Sequence, residues 1–343
     1  MKIALLTSGG DAPGMNPAVR AVVHAAHAAG AEVIAVREGY EGLVHGWADP
    51  IGPADVGGLL DQGGTILGTA RSAAFRERSG RRAAVATLLR HACDGLIVIG
   101  GDGSLTGASI LSTEWASHVT GLVEDGTVDA TTAASHPSLR VVGLVGSIDN
   151  DFWGTDTTIG GDSALHRVIE AIDALTSTAS SHQRSFVVEV MGRRCGWLAL
   201  AASICTGADA VLLPEAPPPD WKAYVLGNLE AGRAAGRRHS VVIIAEGACD
   251  AVGAPITAEM VREALHNELK LDTRITVLGH VQRGGVPSGF DRIMTTTLGV
   301  RAVKEMIKGD DRAIVFGTNG PDLVRHDLDE AVANSRAASD AVG

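Results

Sequence analysis

Val141-Val142-Gly143-Leu144-Val145 runs straight into Gly146-Ser147-Ile148-Asp149-Asn150-Asp151. The first five residues are apolar without alternation, the pattern of a strand buried on both faces. An open α/β sheet binds its ligands beyond the carboxyl ends of its strands. The residues after Val145 therefore bear on fold and site together. Asp149 and Asp151, two apart in extended backbone, project to the same side. One carboxylate can accept a proton while its neighbour holds a metal ion or a water. Taken alone, the stretch favours a plainer reading, a loop with two turn-forming aspartates.

Similar apolar runs recur at 3–6, 33–36, 96–99, 186–190, 211–213, 241–245, 275–278 and 313–316, with helical segments between them. This alternation predicts βαβ units and a largely parallel sheet. Asn16 is the expected cap of the first helix, Pro17 suits its first turn and Gly30 its end. A polar, small-residue piece at about 112–138 predicts a surface insertion, partly helical. The last residues, about 334–343, are small and polar, which predicts fraying.

The chain has 343 residues, enough for one large α/β domain or two lobes. Its net charge is −11, which argues against sequence-independent nucleic-acid binding. Cys93, Cys195, Cys205 and Cys249 are scattered without CxxC spacing. That spacing argues against a structural zinc site and suggests a reducing compartment. There is no signal-peptide pattern, and no apolar run approaches the roughly 18 residues of a membrane span. The expectation is a cytoplasmic protein with no membrane partner.

Glycine-rich loops follow two more of the predicted strands. Thr7-Ser8-Gly9-Gly10-Asp11-Ala12-Pro13-Gly14 leads into the first helix. It fits a tight turn or a phosphate cradle about equally, since glycines admit close backbone approach and a helix start favours anions. Gly100-Gly101-Asp102-Gly103-Ser104, followed by Gly107, is more specific: backbone N–H groups can hold a polyphosphate while Asp102 sits near Mg²⁺. Arginines are spread at Arg71, Arg76, Arg184, Arg193, Arg274 and Arg283, with His280 beside the last. Several at strand ends in an acidic chain favour phosphate recognition over isolated surface pairs. Glu246, after the run at 241–245, could accept a sugar hydroxyl or simply face solvent. His166, on a predicted helix, reads as a cap or surface group.

Together the motifs resemble the 6-phosphofructokinase family over nearly the whole chain. They are TSGGDAPGMN at 7–16, GGTILGTAR at 63–71, GGDGS at 100–104, GSIDND at 146–151, SHQR at 181–184, MGRRCG at 191–196, AEG at 245–247 and GHVQRGG at 279–285. The wording around 146–156 is closest to the N-terminal half of the double-length eukaryotic-type enzymes. The resemblance implies two doubly wound, largely parallel-sheet lobes with the active site in the cleft between them. Residues 1–160 with about 282–343 would form the ATP-binding lobe, and about 161–281 the sugar-phosphate lobe.

The resemblance further implies phosphoryl transfer from MgATP to the 1-hydroxyl of fructose 6-phosphate, a committed step of glycolysis. Gly10, Arg71, Ser72, Gly101, Asp102, Gly103 and Ser104 would contact the nucleotide, with Gly107 and Tyr40 beside it, and Asp102 would hold Mg²⁺. Asp149 would be the general base, Ser147 would bind the transferring group or the sugar, and Asp151 would support the metal's water or the substrate. Arg193 would grip the transferring group or the sugar. Ile148, Met191, Gly192, Glu246, His280, Val281, Gln282 and Arg283 would line the sugar-phosphate pocket. Arg184 and Arg274 would reach the 6-phosphate of a neighbouring subunit, which implies a homotetramer.

Donor choice turns on Gly103 and Gly146. Pyrophosphate-using relatives carry an acidic residue at the first position and a lysine at the second, so glycine at both favours ATP. Of the family's basic effector-site residues, Arg20 and Arg237 are kept, His24 replaces an arginine, and Pro53 and Thr176 replace basic residues. Regulation by ADP or phosphoenolpyruvate is correspondingly in doubt. The competing readings are a pyrophosphate-dependent enzyme, an NAD kinase (which shares only the GGDG loop) and a non-catalytic regulatory homologue.

Overall fold

The computed structural model describes residues 1–309 and 312–342. In chain order the elements begin with β1 (Lys2–Ser8), α1 (Met15–Ala28), β2 (Glu32–Val36), α2 (Gly39–His45) and β3 (Ala48–Ile51). α3 (Ala73–Arg76), α4 (Arg78–Arg90), β4 (Gly95–Gly100), α5 (Asp102–Glu124), α6 (Ala130–Ser135) and β5 (Arg140–Val145) follow. Then come α7 (Gly161–His182), β6 (Ser185–Val190), α8 (Trp197–Thr206), β7 (Ala210–Leu212), α9 (Trp221–Ala234), β8 (Ser240–Ala245), α10 (Ala258–Leu269) and β9 (Thr273–Val277). The chain closes with α11 (Gly289–Lys308), β10 (Ile314–Asn319), β11 (Asp322–Asp327) and α12 (Leu328–Val342).

These elements form two compact units. One comprises Met1–Ser147, Phe152–Gly160 and Gly285–Arg336; the other comprises Ile148–Asp151, Gly161–Gly284 and Ala337–Gly343. The division differs from the sequence expectation at 148–151, which the expectation groups with residues 1–160, and at residues 282–284 and beyond 336. Four residues carrying Asp149 leave the first unit and rejoin it at Phe152, an excursion too short to leave a compositional mark.

The first unit is built on a seven-stranded sheet of order β11-β10-β5-β4-β1-β2-β3. Its central pairs are parallel, and β3 and β11 pair antiparallel at the two edges. Ala4, Leu6, Leu96 and Val98 join one core cluster with Leu88, Leu105 and Trp115. Ile3, Leu5, Ile97 and Ile99 alternate with them and are equally buried. Alternate residues point to opposite faces, so both faces of this sheet are covered, as the unbroken apolar runs require. The second unit holds a four-stranded parallel sheet, β7-β8-β6-β9. Val187, Leu212, Val242 and Ile244 pack there against Trp221, Val225, Val261 and Leu265. The mixed, mostly parallel α/β class agrees with the expectation from strand–helix alternation.

Three local expectations are corrected. Gly14, not Asn16, stands at the start of α1, with φ 116° and no side-chain cap. Asn16 already lies within the helix and uses its amide elsewhere, as described below. The piece at 112–138 is not a surface insertion from its start: α5 passes straight through Ser112, burying Trp115, His118 and Leu122. The Trp115 indole N–H donates to the His136 carbonyl at 3.0 Å, closing the far end of the segment onto the helix. The small, polar C-terminus is helical through Val342, and Gly343 lies outside the described residues. Ala and Ser cost a helix little when one face docks, which Ala331, Val332 and Ser335 do.

Candidate functional site

The glycine-rich loops of the first unit lie side by side because their strands do. Ser8 pairs with Gly100, and Gly100 with Val145, so β1, β4 and β5 end level. Beyond them, the Gly146 N–H donates to the Gly100 carbonyl at 3.0 Å. TSGG, GGDGS and the start of GSIDND therefore share one carboxyl-terminal edge. Gly101 caps α5, Asp102 opens it and Gly103 and Ser104 complete the first turn. A helix start beside glycine backbone is an anion cradle. Among the described residues, no group of three or more His, Cys, Asp or Glu gathers into a metal cage. Asp102 alone fits Mg²⁺, which takes one or two carboxylates and keeps waters and phosphate oxygens as its other ligands.

Loop 63–71 is held against this edge by residues whose importance the sequence did not reveal. The Thr7 hydroxyl lies 2.8 Å from that of Thr65 and donates to the Gly68 carbonyl at 2.9 Å. Asn16 donates to the Gly63 carbonyl at 3.0 Å and accepts from the Ile66 N–H at 2.7 Å. Thr69 donates to the Gly9 carbonyl at 2.7 Å. Arg71 is exposed. Ser72 caps α3, accepting from the Phe75 N–H at 3.1 Å. The Phe75 ring stacks on Tyr40 at 4.0 Å between centroids, and the Tyr40 hydroxyl donates to the Ser104 carbonyl. Gly107 passes beneath both rings, where an added Cβ would lie 3.1–3.2 Å from them. Gly10 is exposed at the mouth of the edge.

In the second unit the charged residues converge on Asp149, which is 3% exposed. Arg193 Nε lies 3.5 Å from Asp149 Oδ2, and an Arg283 guanidinium nitrogen 4.0 Å from Oδ1. Despite these cations, burial pushes the Asp149 carboxyl up to about 6, helped by Asp151 and, last, by Glu246; Arg283 and then Arg193 pull the other way. Desolvation of the charged form outweighs two arginines because the nearer of them is exposed and screened. Asn150 takes φ 54°, so the loop turns between the two aspartates. The continuous extended backbone expected for 149–151 is therefore absent. Asp151 acts on Asp149 through its charge, and it is itself exposed.

Arg193 sits on a backbone held in an uncommon conformation. Its φ is 54°, in the left-handed region, and its N–H donates to Glu246 Oε1 at 2.5 Å. Gly247 admits this loop, for a Cβ there would stand 2.0 Å from the Arg193 carbonyl oxygen. Strain of this kind persists only where neighbours over-determine it, as at functional sites. Gln282 is wholly buried: it accepts from the Met191 N–H at 3.2 Å and donates to the Gly279 carbonyl at 3.0 Å. It braces Met191, while His280 and Val281 are exposed on the same 3₁₀ turn, Gly279–Arg283. Ile148 is fully buried.

Arg184 and Arg274 are not brought to this cluster. They stand where β6 and β9 begin, whereas Arg193 and Glu246 stand where β6 and β8 end. Six residues of strand separate the two edges by roughly 17–20 Å. Both arginines pair with Asp272, at 2.9 and 3.2 Å, and the Arg184 hydrogen bond leads in holding that carboxyl below its usual range. Of the residues considered for an effector site, Arg237 pairs with Asp209 at 2.6 Å and Pro53 opens a short 3₁₀ turn. His166 is exposed beside Glu170.

Fold and loops together define an α/β protein whose parallel strands end in glycine-rich loops in one unit and in an arginine–carboxylate cluster in the other. A phosphofructokinase family model matches residues 2–306. The chain is 50% identical over 341 residues to an ATP-dependent 6-phosphofructokinase of Dictyostelium discoideum, covering 98% of this chain and 41% of that protein. It is 50% identical over 346 residues to the human liver-type ATP-dependent 6-phosphofructokinase, covering 99% and 44%. The solved phosphofructokinase of Saccharomyces cerevisiae superposes with a TM-score of 0.97 at 48% identity, covering 99% of this chain and 46% of that one. A pyrophosphate-dependent phosphofructokinase from Marinobacter aquaeolei shares the fold, with a TM-score of 0.76 at 21% identity. The chain belongs to the phosphofructokinase family, and it spans less than half the length of the two ATP-dependent relatives and the yeast structure.

Proposed function

We propose that the protein transfers the γ-phosphoryl group of ATP to the 1-hydroxyl of fructose 6-phosphate, giving fructose 1,6-bisphosphate and ADP in glycolysis. The observation that carries this reading is Asp149, a buried carboxylate beside two arginines with its carboxyl raised to about 6. At neutral pH it is ionised, yet basic enough to take a hydroxyl proton. Arg193 and Arg283 would offset the negative charge of the phosphorylated sugar and the transferring group. The glycine loops would cradle the nucleotide, and Mg²⁺ on Asp102 would neutralise charge on its phosphates. Ser147 would bind the transferring group and Asp151 the substrate.

ATP is favoured over pyrophosphate by two glycines. A Cβ at Gly103 would meet nothing within 4 Å, so an acidic side chain has room there, and its absence leaves the path to a nucleotide's phosphates clear. A Cβ at Gly146 would come within 2.9 Å of Met15 and 3.3–3.4 Å of the Gly100 backbone, so a lysine there requires movement. The ATP-dependent names of the half-identical relatives support the same donor. A non-catalytic homologue is disfavoured because Asp102, Asp149, Arg193 and Arg283 are all present. We place the working form in the cytoplasm as a homotetramer, with Arg184 and Arg274 serving a neighbour's 6-phosphate. An assay coupled to fructose 1,6-bisphosphate, run with each donor and beside a solution-mass measurement, tests this. Faster turnover with pyrophosphate overturns the donor, and no turnover with either overturns the reaction.

A further inference from the structure

β10 and β11 form a hairpin at the edge of the seven-stranded sheet, and no motif of the sequence falls on it. Its side chains nevertheless grip the segment that follows the Asp149 loop. The Thr318 hydroxyl accepts from the Thr157 N–H at 3.1 Å and donates to the Thr157 carbonyl at 3.3 Å. The Thr318 N–H donates to the Thr155 hydroxyl at 3.0 Å, and its carbonyl accepts from the Asp156 N–H at 2.8 Å. Asp156 returns the bond, accepting from the Gly320 N–H at 2.7 Å. Gly317 permits the approach, since a Cβ there would stand 2.4 Å from the Gly154 carbonyl oxygen. His326, on β11, lies 2.9 Å from that same carbonyl.

The clamped segment reaches Ser147 directly. Thr158 donates through its hydroxyl to the Ser147 carbonyl. The Ser147 N–H donates to the Ile159 carbonyl at 3.2 Å, and the Ile159 N–H to the Val145 carbonyl at 2.8 Å. Ser147 and Phe152 are the two points where the chain leaves and rejoins the first unit. Between them lie only Ile148–Asp151. The Ser147 foot of the loop that carries Asp149 thus belongs to one hydrogen-bonded network with residues 154–159, which follow its Phe152 foot, and Thr318 bonds to three successive residues of that network, Thr155, Asp156 and Thr157.

We infer that Thr318 is a positioning residue that holds the 154–159 segment against the Ser147 foot of the 147–152 loop, and through it Ser147 and the carboxylate of Asp149. Its kinetic consequence rests on the reaction proposed above; its structural consequence does not. A misplacement of an ångström at the reacting groups can cost up to roughly 100-fold in rate. The deletion of one side-chain hydroxyl, with the backbone bonds kept, is expected to cost about tenfold.

The test compares Thr318→Val, which keeps the shape and removes the hydroxyl, with Thr318→Ser, which keeps the hydroxyl. The expected result is a kcat about tenfold lower for Thr318→Val with both KM values within about twofold of the parent, and recovery in Thr318→Ser. Amide hydrogen exchange on the same full-length proteins is read alongside. Exchange at Ser147, Thr157 and Ile159 is expected to quicken in Thr318→Val while the amides of β1 and β4 keep their protection. An unchanged kcat, an equal loss in Thr318→Ser, or unchanged exchange at Ser147 and Ile159 overturns the inference. If the parent protein turns over neither donor, the proposed reaction fails on its own, and exchange at Ser147 and Ile159 alone decides whether Thr318 anchors the loop.

Discussion

The two units end their parallel strands in different chemistry. At the edge of β1, β4 and β5 the groups offered are backbone: Gly9, Gly10, Gly100, Gly101 and Gly103, with Asp102 as a carboxylate among them. At the edge of β6 and β8 they are side chains: Arg193, Glu246 and, beside them, Asp149 and Arg283. Backbone N–H groups suit a polyphosphate, whose many equivalent oxygens need charge neutralisation more than discrimination. A sugar phosphate needs its hydroxyls told apart, which takes fixed forks and carboxylates. Rigidity differs in the same way. The glycine edge is fixed from beneath by Thr7, Asn16 and Thr65, and the arginine edge by Gln282 and Glu246.

If that division is right, damage to the side-chain edge strikes the chemical step hardest. Asp149→Ser is expected to lower kcat by roughly 10²–10⁴-fold, the usual worth of a general base, while fructose 6-phosphate binding, measured by calorimetry, stays near that of the parent. Near-normal turnover would remove Asp149 from the base role and dissolve the contrast between the edges.

Next in size are the arginines at the opposite edge of the same sheet. Arg184→Ala or Arg274→Ala is expected to raise KM for fructose 6-phosphate about 10–100-fold, the worth of one or two charged hydrogen bonds, with KM for ATP little moved. Both arginines start from a shared pair with Asp272, so they are held ready rather than loose. Because they sit away from Asp149, the effect rests on the proposed oligomer. An unchanged KM in a protein of tetramer mass would confine substrate binding to the Arg193 edge.

A smaller effect probes the backbone edge. Gly103→Asp places a carboxylate where nothing lies within 4 Å of the new Cβ, so the fold has room for it. Repulsion with a nucleotide's phosphates across several ångströms of partly solvated space is worth on the order of 1–2 kcal/mol, or about tenfold in KM for ATP. KM for fructose 6-phosphate is expected to hold. If it rises in step, the two edges are not chemically separate.

The contrast also explains what could be read beforehand. The glycine loops and the central strands were legible because an unbroken aliphatic run followed by glycines has few other uses. β3 and β11 were not, since Ala48–Ile51 contains Pro50 and Asp322–Asp327 is polar at most positions. Edge strands need bury only part of their surface, and proline or charge there blocks further pairing. Asn16 misled because a capping residue and an internal amide look alike until the partner loop at 62–66 is in place. The pair Asp149 and Asp151 was found for a reason that did not hold: Asn150 turns the chain between them. Thr318 and the bracing role of Gln282, which the sequence offered only as a pocket-lining residue, were hidden more deeply, for Thr318 holds Thr157 and Gln282 holds Met191, backbone groups distant in sequence.

The smallest effect concerns stability, and its sign follows from the burial of Asp149. Its carboxyl is raised from an ordinary value near 3.8 to about 6, so between those limits the folded protein holds a proton more tightly than the unfolded chain. Raising the pH from 4 through 6 strips that proton and lowers stability, by at most about 3 kcal/mol for a shift of this size. Above pH 6 the penalty is complete and flat. Asp149→Asn has no such proton to lose. It is therefore expected to match the parent below pH 4 and to exceed it at pH 8 by about 1–3 kcal/mol, a rise of a few degrees in Tm. Part of the gain is offset because Arg193 and Arg283 lose their partner, but Arg193 is mostly exposed and rehydrates. Melting curves of both proteins at pH 4, 6 and 8 decide the matter. A parent that is more stable than Asp149→Asn at pH 8 would mean that the arginines outweigh burial, and Asp149 would then be too weak a base for the edge assigned to it.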